Sequence, residues 1–446
     1  MLEFLGSILS IWLDTSEVKT LKSVAWQDWL DTAWIRSLTQ PQKAIDPAAV
    51  AIVQNHVSAV TATGMATPSQ GVWIQTDSEI LAEHQGETPL SAASLTKIAT
   101  TLAALETWEP EHQFETLISA SGPIQDGVLQ GDLVIQGETD PLFVWEEAIV
   151  LANALKQVGI QRVTGELIVT PKFVMNFETD PQMAARLLQQ GMNAVLWNEA
   201  AAEQYQTLPP TTPRPQLVIE GGVRVLPLSQ VAQLSATPLI RHQSVPLVDM
   251  LRAMNTYSNN FMSDVIANEI GGAATVAEVA AAQAGIPLEE IQLINGSGLG
   301  NENRISPRAV GAMLVAIQRS VALQQLNITD LFPVIGRDRG TLRGRNIAAG
   351  AALKTGTLDD VSALAGVIPT RDRGLIWFSI INVGIGDLDF LHKQQDQLLQ
   401  TLVQTWGSPV VSELRLSDRP TREAAQLGAA SRNQILQSQS NAVIKP

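Results

Sequence analysis

The sequence contains no cysteine, which excludes disulfides, thiolate catalysis and cysteine-based zinc sites. It is short of positive charge: 29 Lys and Arg stand against 44 Asp and Glu, a net of −15. A surface this acidic repels phosphate backbones and argues against a nucleic-acid partner. It also fits a soluble protein better than one held to anionic lipid. No run is long and apolar enough to span a bilayer. The five histidines, His56, His84, His112, His242 and His392, form no HExxH and no close pair. A His-based zinc site or a serine–histidine triad therefore has no local support, and neither a metal nor a cofactor is expected.

The N-terminus is ambiguous. Residues 5–13 (LGSILSIWL) look like a short signal-peptide core, but Glu3 stands where a basic residue is expected and no A-x-A-like site follows. Trp26, Trp29 and Trp34 come next. They suit either a peripheral membrane contact or packing onto the body of the protein, and Glu17, Asp28 and Asp31 make a poor face for anionic lipid.

With 446 residues, 45% apolar and 16% charged, the chain can bury a sizeable core and divides into two or three domains. No repeat of fixed period is present. Leu95, Ile98, Ala99, Leu102 and Leu105 recur at helical spacing, so a buried helix follows Ser94. Residues 131–141 (GDLVIQGETDP) read as a strand and turn, 145–158 as a helix and 165–169 as extended. Residues 352–358, 362–368 and 375–383 are apolar segments with short connections, one of them the turn TRDRG. They predict an antiparallel sheet, followed by an amphipathic helix over 388–406. Segregated sheet and helices argue α+β rather than parallel α/β. The end, SRNQILQSQSNAVIKP, reads as a mobile polar tail.

Three short motifs occur in order: Ser94-Leu95-Thr96-Lys97, Ser258-Asn259-Asn260 and Lys354-Thr355-Gly356. Singly they are cheap. A chain this long holds roughly one SxxK by accident, and Ser16-Glu17-Val18-Lys19 is such a copy. Ser431-Arg432-Asn433 likewise matches SxN. Alone, Ser94 reads as a helix cap, the middle motif as a turn and Lys354 as a surface cation. The information lies in order and context, because Ser94 opens an apolar helix and Lys354 sits on a sheet strand.

The spacings suit acyl transfer. Positions i and i+3 share a helix face, so Lys97 can reach Ser94. A serine hydroxyl needs a base, and burial together with a second cation such as Lys354 would free the Lys97 amine for that task. The Ser94 N–H at the helix N-terminus offers half an oxyanion hole, with a strand N–H as the other half. Ser258 can relay a proton to the leaving amine and Asn260 can hold substrate backbone. Lys354 and Thr355 offer donors to a carboxylate, and Gly356 permits close approach along the strand. This motif set is the one found in penicillin-binding proteins and β-lactamases.

Here the sequence resembles the low-molecular-mass class C penicillin-binding proteins, serine D-Ala-D-Ala carboxypeptidases that often also cleave peptide cross-links. The resemblance takes in GDLVIQGETDP (131–141), TGELIV (164–169), MNTYSNNFMSD (254–264), NGSGLGNENRISP (295–307), FPVIGRDRGTLRGR (332–345) and LKTGTLDDVSALAG (353–366). It covers roughly residues 45 to 405 and is weakest between 170 and 235. It implies an α+β, β-lactamase/transpeptidase-like catalytic domain split over 45–108 and 236–415. An α/β domain is inserted at 109–235, with an N-terminal segment (1–44) and a polar tail (416–446) at the ends. It implies Ser94 as nucleophile, Lys97 as base, Ser258 and Asn260 as the middle motif, Lys354 as substrate-binding cation and Thr357 N–H as second oxyanion donor. Its expected partners are peptidoglycan stem peptides, and β-lactams as covalent inhibitors, in the periplasm or cell envelope. There are three departures. Thr256 stands where relatives usually carry lysine, Asn295 replaces a common aspartate, and the stretch from Lys97 to Ser258 is shorter than in many relatives. Two other readings compete: a β-lactamase of the same superfamily, and a non-catalytic cell-wall docking protein. Intact Ser94, Lys97, Ser258, Asn260 and Lys354 count against the second.

Overall fold

A computed structural model describes residues 42–408 and 425–436. The signal-like stretch, the N-terminal tryptophans and the chance motif at Ser16 lie outside the described residues.

Helix α1 (Pro47–Thr61) starts where Asp46 accepts from the N–H groups of Ala48 and Ala49 and Pro47 occupies the first turn. Strands β1 (Gln70–Gln75) and β2 (Glu79–His84) follow. Helix α2 (Thr96–Thr107) is buried without interruption from Thr96 to Leu105, as an all-round core helix must be. The chain then leaves through β3 (Glu115–Ala120), β4 (Leu133–Gly137), α3 (Trp145–Gln157), β5 (Leu167–Val169), β6 (Val223–Val225) and β7 (Thr237–Gln243). It returns through α4 (Leu247–Tyr257), α5 (Asn260–Ile270), α6 (Ala273–Ala284) and α7 (Pro307–Ala322). Strands β8 (Ala352–Leu358), β9 (Val361–Thr370) and β10 (Gly374–Val383), helix α8 (Leu388–Trp406) and strand β11 (Asn433–Ile435) complete it.

The first sheet runs β2-β1-β10-β9-β8, with residues 42–43 as a further edge beside β2. Both of its faces are covered, so β9 is buried along its length and reads as a continuous apolar run. Alternation sorts the side chains. Ala363, Ala365, Trp377 and Ile381 pack with α7 and α2 on one face. Leu364, Phe378 and Ile380 pack with α1 and α8 on the other. Strand β8 is an edge. Val334 bridges Ala352 at its start, and the turn at Ala93–Leu95 lies beside it further on.

A second sheet, ordered β6-β5-β4-β3-β7-β11, has its own core around α3. Its β4-β5-β6 part is parallel and the rest antiparallel. Two sequence expectations change here. The inserted domain was expected to close at 235, yet β7 at 237–243 pairs with β3 and belongs to this sheet. The C-terminal stretch was expected to be a mobile tail, yet Asn433–Ile435 pairs antiparallel with β7. Composition misled there, because a strand can be held by backbone pairing and one buried arginine while its other side chains stay polar.

Candidate active site

Ala93 takes a left-handed conformation, φ 46°, and turns the chain sharply into a 3-10 turn and then α2. Ser94 sits on this bend, half-buried. Lys97 lies one turn along, fully buried. Its Nζ is 3.1 Å from Ser94 Oγ, 2.8 Å from Asn260 Oδ1 and 2.7 Å from the Ser297 carbonyl oxygen. The last two groups can only accept. A neutral amine has two N–H bonds and one lone pair, so donating to both acceptors leaves the lone pair aimed at the Ser94 hydroxyl. Burial lowers the Lys97 pKa to about 7, against an upward pull from Asp264.

Ser258 sits between α4 and α5 in a left-handed conformation, φ 53°. Asn259 caps α5 by accepting from Met262 N–H at 3.0 Å, so the turn reading of the middle motif also holds. The break turns Ser258 toward Lys354 and Asn260 toward Lys97. Lys354, fully buried on β8, donates to Ser258 Oγ at 2.9 Å and to the Thr355 carbonyl at 2.7 Å. Burial and the neighbouring Lys97 hold its pKa well below that of a free lysine. Burial dominates at both residues, the repulsion between the two ammoniums disfavours the charge on either, and the carboxylate of Asp264 pulls the Lys97 pKa back up.

The β8 edge lies against the turn that carries Ser94. A Cβ placed on Gly356 would come within 2.9 Å of the Ala92 carbonyl oxygen and 3.2 Å of Ser94 N, so only glycine allows this approach. Thr355 Oγ1 donates to Thr341 Oγ1 at 2.8 Å, and Thr357 is exposed just beyond. Ser94, Lys97 and Asn260 are thus joined by direct hydrogen bonds, and Ser258 is joined to Lys354. Gly356 brings β8 against Ser94.

Sequence reasoning gave no role to three contributors. The Ser297 carbonyl, Asp264 and Thr341 touch or bias motif residues without belonging to a motif. The cue for Ser297 was the glycine cluster of NGSGLG. Asn295 Oδ1 accepts from Gly298 N–H at 2.8 Å and from Ser297 Oγ at 3.2 Å, while its Nδ2 donates to the Leu299 carbonyl at 2.7 Å. An aspartate would lack that last donor, so asparagine satisfies the loop at this departure from the family pattern. Ala92 N–H donates to the Asn303 carbonyl at 2.9 Å, tying the loop to the turn that carries Ser94.

The model of the D-Ala-D-Ala carboxypeptidase 3 (S13) family matches residues 53–193 and 220–404. The D-alanyl-D-alanine carboxypeptidase DacB of Haemophilus influenzae is 24% identical over 411 residues, covering 70% of this chain and 84% of that protein. Carboxypeptidase Rv3627c of Mycobacterium tuberculosis is 25% identical over 66% of this chain and 72% of its own length. Among solved structures, penicillin G-acylated Bd3459, a predatory endopeptidase of Bdellovibrio bacteriovorus bound to its immunity protein Bd3460, superposes with a TM-score of 0.70 at 18% identity. That match covers 82% of this chain and 98% of the other. Penicillin-binding protein 4 (dacB) of Haemophilus influenzae gives 0.58 at 21%, covering 78% and 99%.

Proposed function

The chain belongs to the D-Ala-D-Ala carboxypeptidase 3 (S13) family, and we propose that Ser94 is the nucleophile through which it cleaves D-Ala-D-Ala termini of peptidoglycan peptides. It is a serine peptidase that works through an acyl-enzyme and binds penicillin. Family membership favours this over the β-lactamase and docking readings. The observation that carries the residue assignment is the saturation of Lys97 by Asn260 and the Ser297 carbonyl, which leaves its lone pair for Ser94.

In the first step Lys97 takes the Ser94 proton as Oγ attacks the carbonyl carbon between the two D-alanines. The N–H groups of Ser94 and Thr357 receive the developing oxyanion. The C–N bond breaks, and the leaving amine takes the proton that Lys97 received, passed on through Ser258, so Lys97 is neutral again; Ser258 Oγ accepts from Lys354 throughout. Lys354 and Thr355 hold the terminal carboxylate. Water then attacks the ester, its proton returns through Lys97, and Ser94 is restored. Asn260 positions the substrate backbone. Peptidoglycan as substrate implies the cell envelope, and the periplasm is the compartment proposed. Cleavage of cross-links by the same steps is also proposed, since a cross-link ends in a comparable D-Ala amide.

Intact-protein mass spectrometry after incubation with penicillin tests this reading. One adduct should form and map to Ser94. Ser94→Ala should form none and lose D-Ala-D-Ala peptide turnover by a factor on the order of 10⁶. An adduct mapped to another serine would remove Ser94 from its role.

A further inference from the structure

The chain comes back to the second sheet after the catalytic unit is finished, and it is fastened there. Arg432, with a side chain 1% exposed, pairs with the equally buried Glu147 of α3 at 2.5 Å. The same Glu147 oxygen accepts from Gly428 N–H at 2.9 Å. Arg432 Nη1 donates to the Gln243 carbonyl at 2.9 Å, and His242 Nδ1 lies 3.0 Å from Asn433 Oδ1. Removing one partner of a buried ion pair leaves an uncompensated charge, so this attachment is firm.

The leading end of the segment has another neighbour. Ala425 and Leu427 line a cleft of about 790 Å³ together with Trp145, Tyr257 and Asn259. Tyr257 and Asn259 flank Ser258, so the cleft opens beside the middle motif. Leu427 and Tyr257 are both exposed at its rim, 38% and 70%. The family match ends at residue 404, before this segment.

We infer that Ala425 and Leu427, pinned through Arg432, form a substrate-selecting wall of a cleft that adjoins the middle motif, with Leu427 touching the stem peptide beyond its D-Ala-D-Ala end. This rests on the peptidase reading above. The occupant follows from continuity, because a peptide held at Ser94 and the middle motif must send its remaining residues into adjoining space. None of Ser94, Lys97, Lys354 and Thr355 lines this cleft, so a small β-lactam held by those groups should not reach the wall. Arg432 is a positioning residue, acting through the segment it anchors.

The test compares acylation by penicillin with hydrolysis of a D-Ala-D-Ala pentapeptide in the full chain. Leu427→Trp changes an exposed side chain and narrows the cleft without touching the anchor. It should raise the pentapeptide KM about tenfold with kcat unchanged, the pattern of altered uniform binding, and leave the penicillin acylation rate within about twofold of wild type. Arg432→Met should show the same split by releasing the wall. If Arg432→Met fails to fold, Leu427→Trp decides alone. Normal penicillin acylation with an unchanged pentapeptide KM in Leu427→Trp overturns the inference, as does an equal loss of both reactions. A wild-type chain that forms no adduct overturns the peptidase reading, and this inference with it.

Discussion

Lys97 is surrounded by two groups that can only accept and one hydroxyl that can do either, so its lone pair, once the amine is neutral, faces that hydroxyl. With a pKa of about 7, its neutral fraction grows as pH rises through neutrality. The rate of penicillin acylation should therefore climb across that range, which stopped-flow measurements between pH 5 and 9 would check. Asp264→Asn removes the carboxylate that raises this pKa. The climb should then move to lower pH, and a profile that stays in place would remove Asp264 from this role. Lys97→Arg keeps the charge but cannot supply a lone pair, because guanidinium stays protonated. Acylation should collapse while near-UV circular dichroism stays native. The positions of Ser94, Lys97, Ser258, Asn260 and Lys354 were legible because side-chain identity, order and spacing are written in sequence. Ser297 was not, because it acts through a carbonyl that every residue possesses. Asp264 stayed hidden because its effect depends on burial shared with Lys97.

At the scale of elements, the site depends on two backbone approaches that tolerate no Cβ. Gly298 has φ +82°, and a Cβ there would sit 1.9 Å from the Ala93 carbonyl oxygen. Gly298→Ala should push the loop away from the nucleophile turn and withdraw the Ser297 carbonyl from Lys97. We expect penicillin acylation to fall by at least about tenfold with a lowered Tm. An acylation rate equal to wild type would show that the loop does not set the geometry. The strands β8 to β10 were legible from apolar runs and a turn signal, and α2 from helical spacing. Strand β11 was not, because no periodicity marks a three-residue strand whose partner lies far away in sequence. Residues 237–243 were placed in the catalytic domain for a related reason, because only the pairing with β3 says which sheet they join.

At the scale of the whole molecule, two sheets with separate cores meet beside the cleft, and buried histidines tie stability to acid. His56 accepts from Asn382 through Nε2 and faces the Gln394 carbonyl through Nδ1, which fits the neutral tautomer. Burial lowers its pKa from 6.5 to about 4. Between those values the unfolded chain binds a proton that the folded chain does not, so stability falls as pH drops through that window. The loss attributable to His56 is roughly 3 kcal/mol by pH 4. His56→Gln, which can still accept and donate, should flatten the fall of Tm between pH 6.5 and 4. A slope identical to wild type would clear His56 of the effect.

The Arg432–Glu147 anchor also has a consequence in time. His242 and Asn433 are 191 residues apart in the chain, yet they sit side by side on neighbouring strands. A ribosome adding about 5–20 residues per second needs roughly 10 to 40 seconds to cover that distance. During this interval the β7 edge is made but lacks β11, and Glu147 lacks Arg432. An open edge is a template for pairing with other chains. The nascent protein therefore passes through a stage in which its second sheet is vulnerable to association, and that stage ends when residues 425–436 emerge and dock.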